Sequence, residues 1–232
     1  MLQNIREKFI VTADDYGIRE TTAPILKLAR EGRIDRVGVL IHFVSKEEAQ
    51  GLQETGVKID LHLELIELLR SGKKVRESAL LRGVNFAWRY SLGRATAKQA
   101  EVQWRQQIER FRELFGRLPD GLNSHEHVHY FPVFFKSFLH LADECGIGFV
   151  RFGKRGILKD SRGIFVWKVL DFFWKRDSRV FSETTLHSSD FVTSLDWVAE
   201  PKTFFGTLPE GTIELVVHPE REEEHQTIRE YF

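Results

Sequence analysis

Short runs rich in β-branched and aromatic residues alternate with longer stretches of helical periodicity along the chain. That alternation restricts the fold to βα units built around a parallel sheet. Runs at 8–12, 37–44, 57–63, 120–128, 147–152 and 212–217 read as strands, with a further one near 180–186. Helical patterns separate them. One covers 19–30 and is stopped by Gly32; a short one is capped by Ser45 and ends near Gly56. The longest covers 96–115, opened by Thr96 and closed by Gly116 and Pro119, and another runs from Pro132 to about 146. An aromatic helix follows around 163–175, and Ser194 starts one more. The pattern amounts to six or seven βα repeats, in a barrel-like (β/α) fold or a doubly wound sheet. Both arrangements place their active sites at the C-terminal ends of the strands. No repeat, low-complexity tract or Pro/Ser-rich linker interrupts the pattern, so residues 1–232 read as a single domain.

Composition narrows the classes of function. Thirty-four basic residues balance thirty-four acidic ones, so no global field would draw in nucleic acid or an anionic membrane. The one cysteine, Cys145, cannot form an internal disulfide and points to a reducing, cytoplasmic setting. No apolar run approaches the length of a membrane span, and charges recur through the first nine residues. The expectation is a soluble protein.

The polar residues at the predicted strand ends carry the chemistry. After the first strand come Thr12-Ala13-Asp14-Asp15-Tyr16-Gly17. Adjacent carboxylates on an extended chain point to opposite sides, so one can face a metal and the other a substrate or water. Asp15 alone would read as a helix cap. The third strand ends in Asp60-Leu61-His62-Leu63-Glu64, where a lone histidine among apolar neighbours would ordinarily be structural. The fourth ends in Asn123-Ser124-His125-Glu126-His127-Val128-His129. On a strand the histidines at 125, 127 and 129 share one face, suited to a metal or to proton transfer. The last strand ends in Val216-Val217-His218-Pro219. Asp, His and His converging from separate strands are a common ligand set for a catalytic divalent ion. A spare carboxylate, Asp14, and spare histidines, His127 and His218, could then supply a base and an acid.

With these residues in place the sequence resembles the YdjC/ChbG family of carbohydrate deacetylases over nearly its whole length. The family pattern is approximately N-A-D-D-F-G, then G-x-H, then D-S-H-x-H-V-H, then C-H-P, and the four segments above follow it in order and spacing. The resemblance implies a barrel-like (β/α) domain related to polysaccharide deacetylases. It also implies removal of an acetyl group from an N-acetylated sugar with one divalent metal ion, magnesium or zinc. By position Asp15, His62 and His125 would be the ligands, and by analogy with those deacetylases Asp14 would be the base. Either His127 or His218 would be the acid. The sequence departs from the pattern at several places. Asn123 stands where the family has Asp, and Asp60, Glu64 and Glu220 replace small or neutral residues, which predicts a more acidic site. The tail after His218 is short, and a C-terminal helix common in the family is expected to be absent.

Two other readings use the same residues: a metal-dependent esterase, and a carbohydrate-binding or regulatory protein without catalysis. The partners expected are an N-acetylated carbohydrate and no nucleic acid. The aromatic helix bears on further partners. Between Ile164 and Lys175 the polar positions 168, 171 and 175 form one narrow stripe, so the helix needs cover on more than one side. Neighbouring parts of the same chain come first as that cover. A second subunit in a homodimer, touching Trp167 or Phe173, comes next. A membrane surface drawn to Arg162, Lys175, Arg176 and Arg179 ranks last.

Overall fold

The computed structural model describes residues 3–65, 96–160, 162 and 164–232. After a short helix α1 (Gln3–Arg6), the chain alternates strand and helix: β1 (Phe9–Tyr16), α2 (Arg19–Arg30), β2 (Arg36–Val39), α3 (Lys46–Gln53) and β3 (Lys58–Leu63). It continues with α4 (Ala97–Phe115), β4 (Gly121–Ser124), α5 (Pro132–Glu144), β5 (Gly156–Ile157) and α6 (Ile164–Ser182). The last elements are β6 (Phe191–Ser194), α7 (Pro201–Phe205), β7 (Ile213–Val217) and α8 (Glu222–Tyr231). Seven strands form one sheet in the order β4-β3-β2-β1-β7-β6-β5, every pair parallel.

The helix boundaries follow from side-chain chemistry. Ser45 and Glu48 form a capping box on α3, and Thr96 and Gln99 form another on α4. Gly116 closes α4 in the left-handed conformation that a side chain would resist. Pro132 occupies the first turn of α5, where its missing N–H costs nothing. The buried faces of α4 and α5 meet through Trp104, whose ring packs edge-on against Phe134 and Phe138.

The sheet is curled. Arg151 follows the bridge that joins Val150 to Leu122 of β4, yet its guanidinium reaches Asp14 of β1 and Glu214 of β7. Alternation along the strands turns one set of residues into the hollow: Asp14, Arg36, Asp60, His62, Asn123 and Glu214, all buried. The hollow is therefore polar and the outer face of the sheet apolar.

Four expectations need correction. Residues 147–152 make isolated bridges at Phe149 and Val150 rather than a strand, because Gly146 and Gly153 turn the chain at either end with positive φ. Residues 180–186 are not a strand; α6 runs on to Ser182, and after a single bridge at His187 the ladder begins at Phe191. Ser194 ends β6 and leads into a single turn at Leu195–Trp197 instead of a longer helix. A C-terminal helix is present, since α8 buries Ile228 and Glu224 against the rest of the chain.

Candidate functional site

β1 does not run straight to its end. Its register against β2 shifts between Ala13 and Tyr16, and Asp15 adopts φ 67, a left-handed conformation uncommon outside glycine. The Thr21 hydroxyl steadies this turn by donating to the carbonyls of Asp15 and Ile18. The bulge brings Asp14 and Asp15 to the same pocket, so the expectation that they point to opposite sides does not hold. Gly38 of β2 leaves the space Asp14 needs, since a Cβ there would stand 2.7 Å from Asp14 Oδ1.

Asp15, His62 and His125 meet at the mouth of the hollow, each offering a donor atom within 4.8 Å of the others. Asp15 Oδ1 lies 2.9 Å from His125 Nδ1 and 3.2 Å from His62 Nε2. The other ring nitrogen of His62 lies 2.5 Å from Asn123 Oδ1. An amide oxygen only accepts, so Nδ1 carries the hydrogen and Nε2 is turned towards Asp15. Burial alone would raise the Asp15 carboxyl, but the His125 and His62 rings beside it hold it far below the usual range. Burial would lower His125, and Asp15 outweighs it and raises the ring. Two imidazoles and a carboxylate suit zinc and similar divalent ions, and this donor set fits one ion with positions left open.

Behind this cluster Asp14 is held by Arg151. Both of its oxygens accept from Arg151, at 2.6 and 2.9 Å, and Arg151 Nε donates to Glu214 at 2.8 Å. All three side chains are buried. Burial would raise the Asp14 carboxyl, yet the Arg151 guanidinium keeps it well below the usual range. Deeper in the hollow Arg36 and Asp60 form a second bidentate pair, at 2.8 and 2.5 Å.

The histidine run does not share one face. Glu126 and His127 both take φ 54, which reverses the chain after β4 and sends the three rings apart. His125 joins the cluster. His127 lines the pocket beside Trp197 and Tyr130, and burial together with the Arg151 charge lowers it to about 3. His129 is a core residue: its ring nitrogens meet Ser124 Oγ at 2.5 Å and the Arg151 carbonyl at 2.9 Å. His218 approaches from β7, with Nε2 4.0 Å from Asp15 Oδ2 and Nδ1 3.9 Å from Glu224 Oε2. Glu224 also accepts from the His218 backbone N–H at 2.7 Å.

The pocket above these groups has a volume of about 400 Å³, with Phe131, Phe134, Val166 and Trp197 as its apolar walls and Ser194 and Asp196 at its polar side. Asp60, Glu64 and Glu220 lie outside its lining, although the Glu64 charge reaches His125 and adds to the rise of that ring. Arg151, Glu214, Thr21 and Glu224 escaped the sequence reading. Arg151 alone left a signal, as a charged residue closing an apolar run at a predicted strand end.

A parallel, curled α/β sheet with an aspartate and two histidines gathered at its mouth defines the class: a barrel-like fold carrying a candidate metal site at its strand ends. Within that class the chain belongs to the YdjC-like protein family, whose model matches residues 8–231. It is 31% identical over 153 residues to a carbohydrate deacetylase of Danio rerio, covering 62% of this chain and 49% of that protein. It is 29% identical over 160 residues to a chitooligosaccharide deacetylase of Escherichia fergusonii, covering 66% of this chain and 62% of that protein. The matched regions thus span about half to three fifths of these relatives. Among solved structures it resembles a protein of Enterococcus faecalis V583 provisionally assigned to cellobiose-phosphate cleavage. The TM-score is 0.58 at 17% identity, over 90% of this chain and 79% of that one, a likeness of fold.

Proposed function

We propose that this chain, working as one unit over residues 1–232, is a metal-dependent hydrolase that removes the acetyl group from an N-acetylated sugar. The observation that carries the reading is the placement of Asp15, His62 and His125 beside Asp14 at the floor of one pocket. The relatives named as carbohydrate and chitooligosaccharide deacetylases support the choice of substrate.

Asp15, His62 and His125 would hold the ion. A divalent ion bound there supplies a Lewis acid that polarises the acetamide carbonyl and makes water more acidic. Asp14 takes the proton of the attacking water as the new C–O bond forms. Arg151 fixes the orientation of that carboxylate through two hydrogen bonds. The C–N bond then breaks, and the sugar amine needs a proton to leave. We assign the acid to His218, which lines the pocket with Nε2 4.0 Å from Asp15 Oδ2 and has Glu224 3.9 Å from Nδ1. His127, packed between Trp197 and Tyr130, forms the wall against which the acetyl group sits. The apolar walls exclude water from the rest of the site.

Acetate release from a panel of N-acetylated sugars, oligosaccharides and simple acetyl esters tests this reading. Release from the amides that stops on chelation and returns with one divalent ion is the expected result. Turnover confined to esters would make the protein an esterase, and no turnover with bound sugar would make it a binding protein.

A further inference from the structure

The helix α6 divides its aromatic residues between two sides. Trp167 and Trp174 donate their indole N–H groups to the carbonyls of Ile157 and Gly153, at 2.9 and 2.7 Å. Phe173 packs on Phe131 with ring centres 5.1 Å apart. The two residues expected at a subunit contact, Trp167 and Phe173, are therefore half-buried within their own chain. Left outside are Phe165 and Phe172, with 71% and 66% of their surfaces exposed.

The surroundings of those two rings are chemically uniform. Phe165, Lys168, Phe172, Lys175, Arg176 and Arg179 are all exposed, and at helical spacing they occupy an arc of about 100°. No acid of α6 falls in that arc. Asp177 is buried on the opposite side, and Asp171 sits at the edge, where it meets Lys175 at 2.7 Å. Arg179 meets Glu183 just past the helix end, at 3.5 Å. In a chain whose net charge is zero, two bare phenylalanines among four cations make a local concentration of one sign.

We infer that this outward face of α6 is a docking surface for an anionic lipid bilayer. Phenylalanine rings enter the boundary between headgroups and acyl chains, while the Lys and Arg stems lie along it and their charges meet lipid phosphates. The same charges argue against the other occupants. A two-fold contact through this face would set four cations against four. Residues 66–95 of the chain carry seven Lys and Arg against two Glu, a charge of the same sign as this face. No described helix is long and apolar enough to cross a membrane, so the contact lies on the surface. It adjoins the candidate site, because Val166, next to Phe165, lines the pocket.

Vesicle flotation tests the inference and does not depend on catalysis. The protein should bind vesicles of phosphatidylcholine mixed with phosphatidylglycerol, should not bind phosphatidylcholine alone, and should be released by salt. A Phe165→Ser/Phe172→Ser variant should lose binding by about tenfold or more, and Lys168→Gln/Arg176→Gln should weaken the dependence on salt. Acetate release from a soluble sugar, measured alongside, should be the same in these variants as in the parent; a protein inactive on every sugar would refute the proposed reaction and leave the vesicle result standing. The inference is overturned if the parent ignores anionic vesicles, or if both variants bind them as the parent does. It is equally overturned if Phe172→Glu converts a dimer into a monomer, or if the serine variant unfolds at lower temperature because the face was covered by its own chain.

Discussion

The amide oxygen of Asn123 lies 2.5 Å from Nδ1 of His62, and its buried amide nitrogen has no hydrogen-bond partner among the described residues. A neutral amide fixes the tautomer of the ring as a carboxylate would, but adds no negative charge behind it. A carboxylate in the same place would make His62 a more electron-rich ligand.

Metal affinity should follow that charge. Asn123→Asp should tighten divalent-ion binding, and Asn123→Leu, which frees the ring to rotate, should weaken it by about 10–100-fold. Titration of the metal-stripped protein against a competing chelator checks both directions. Equal affinities in all three proteins would mean that Asn123 does not orient the ligand.

Asp14 and Asp15 should separate by phenotype although they are neighbours in the chain. Asp14→Asn should keep the metal and lose turnover, while Asp15→Asn should lose both. Near-normal turnover in Asp14→Asn would remove it from the role of base. His218→Ala should lose more activity as the leaving amine becomes more basic, whereas a loss in His127→Ala should be indifferent to the leaving group.

Arg151 should matter to folding as much as to the site. Its guanidinium compensates two buried carboxylates, Asp14 and Glu214. Arg151→Met leaves both without their cation, and breaking a buried pair in this way costs about 3–5 kcal/mol. Urea unfolding should show that loss, while Arg6→Met, at the half-exposed pair with Asp35, should lose about 0–1 kcal/mol.

What the sequence revealed and what it concealed differ in kind. Capping residues such as Thr96, Ser45 and Gly116 act locally, so the helix starts and stops could be read from the chain. The acids and histidines at strand ends marked where the site would lie, because a parallel sheet carries its strand ends to one side, and the family resemblance then picked out Asp15, His62 and His125. The bulge at Asp15 and the reversal at Glu126 and His127 could not be read, since left-handed conformations at non-glycine positions depend on distant partners. Three histidines two apart therefore suggested one face and were given three environments. Arg151 was hidden for the same reason: its partners lie 137 and 63 residues away.

His129 sets the last expectation, for acid stability. In the fold Nε2 donates to the Arg151 carbonyl, and Nδ1 accepts from the Ser124 hydroxyl, which itself accepts from the His129 backbone N–H. Both ring nitrogens are satisfied in the neutral form. Burial, reinforced by the neighbouring His127 and Arg151, lowers the ring well below its ordinary value. In the unfolded chain the ring regains a pKa of about 6.5. Above that pH neither state is protonated and His129 contributes no pH dependence. Below it the unfolded chain binds a proton that the folded one refuses, so stability falls, by up to about 1.4 kcal/mol per pH unit. Stability should therefore fall steadily as the pH is taken from about 6.5 towards about 5. Urea unfolding in the presence of a chelator, which removes any contribution from metal release, should show this decline in the parent. His127, also lowered by burial, adds a decline of the same sign, so the comparison with His129→Gln isolates the one ring. That variant should be less stable at pH 8 and should lose less on acidification. Parallel curves for the two proteins would mean that His129 is protonated as readily in the fold as outside it.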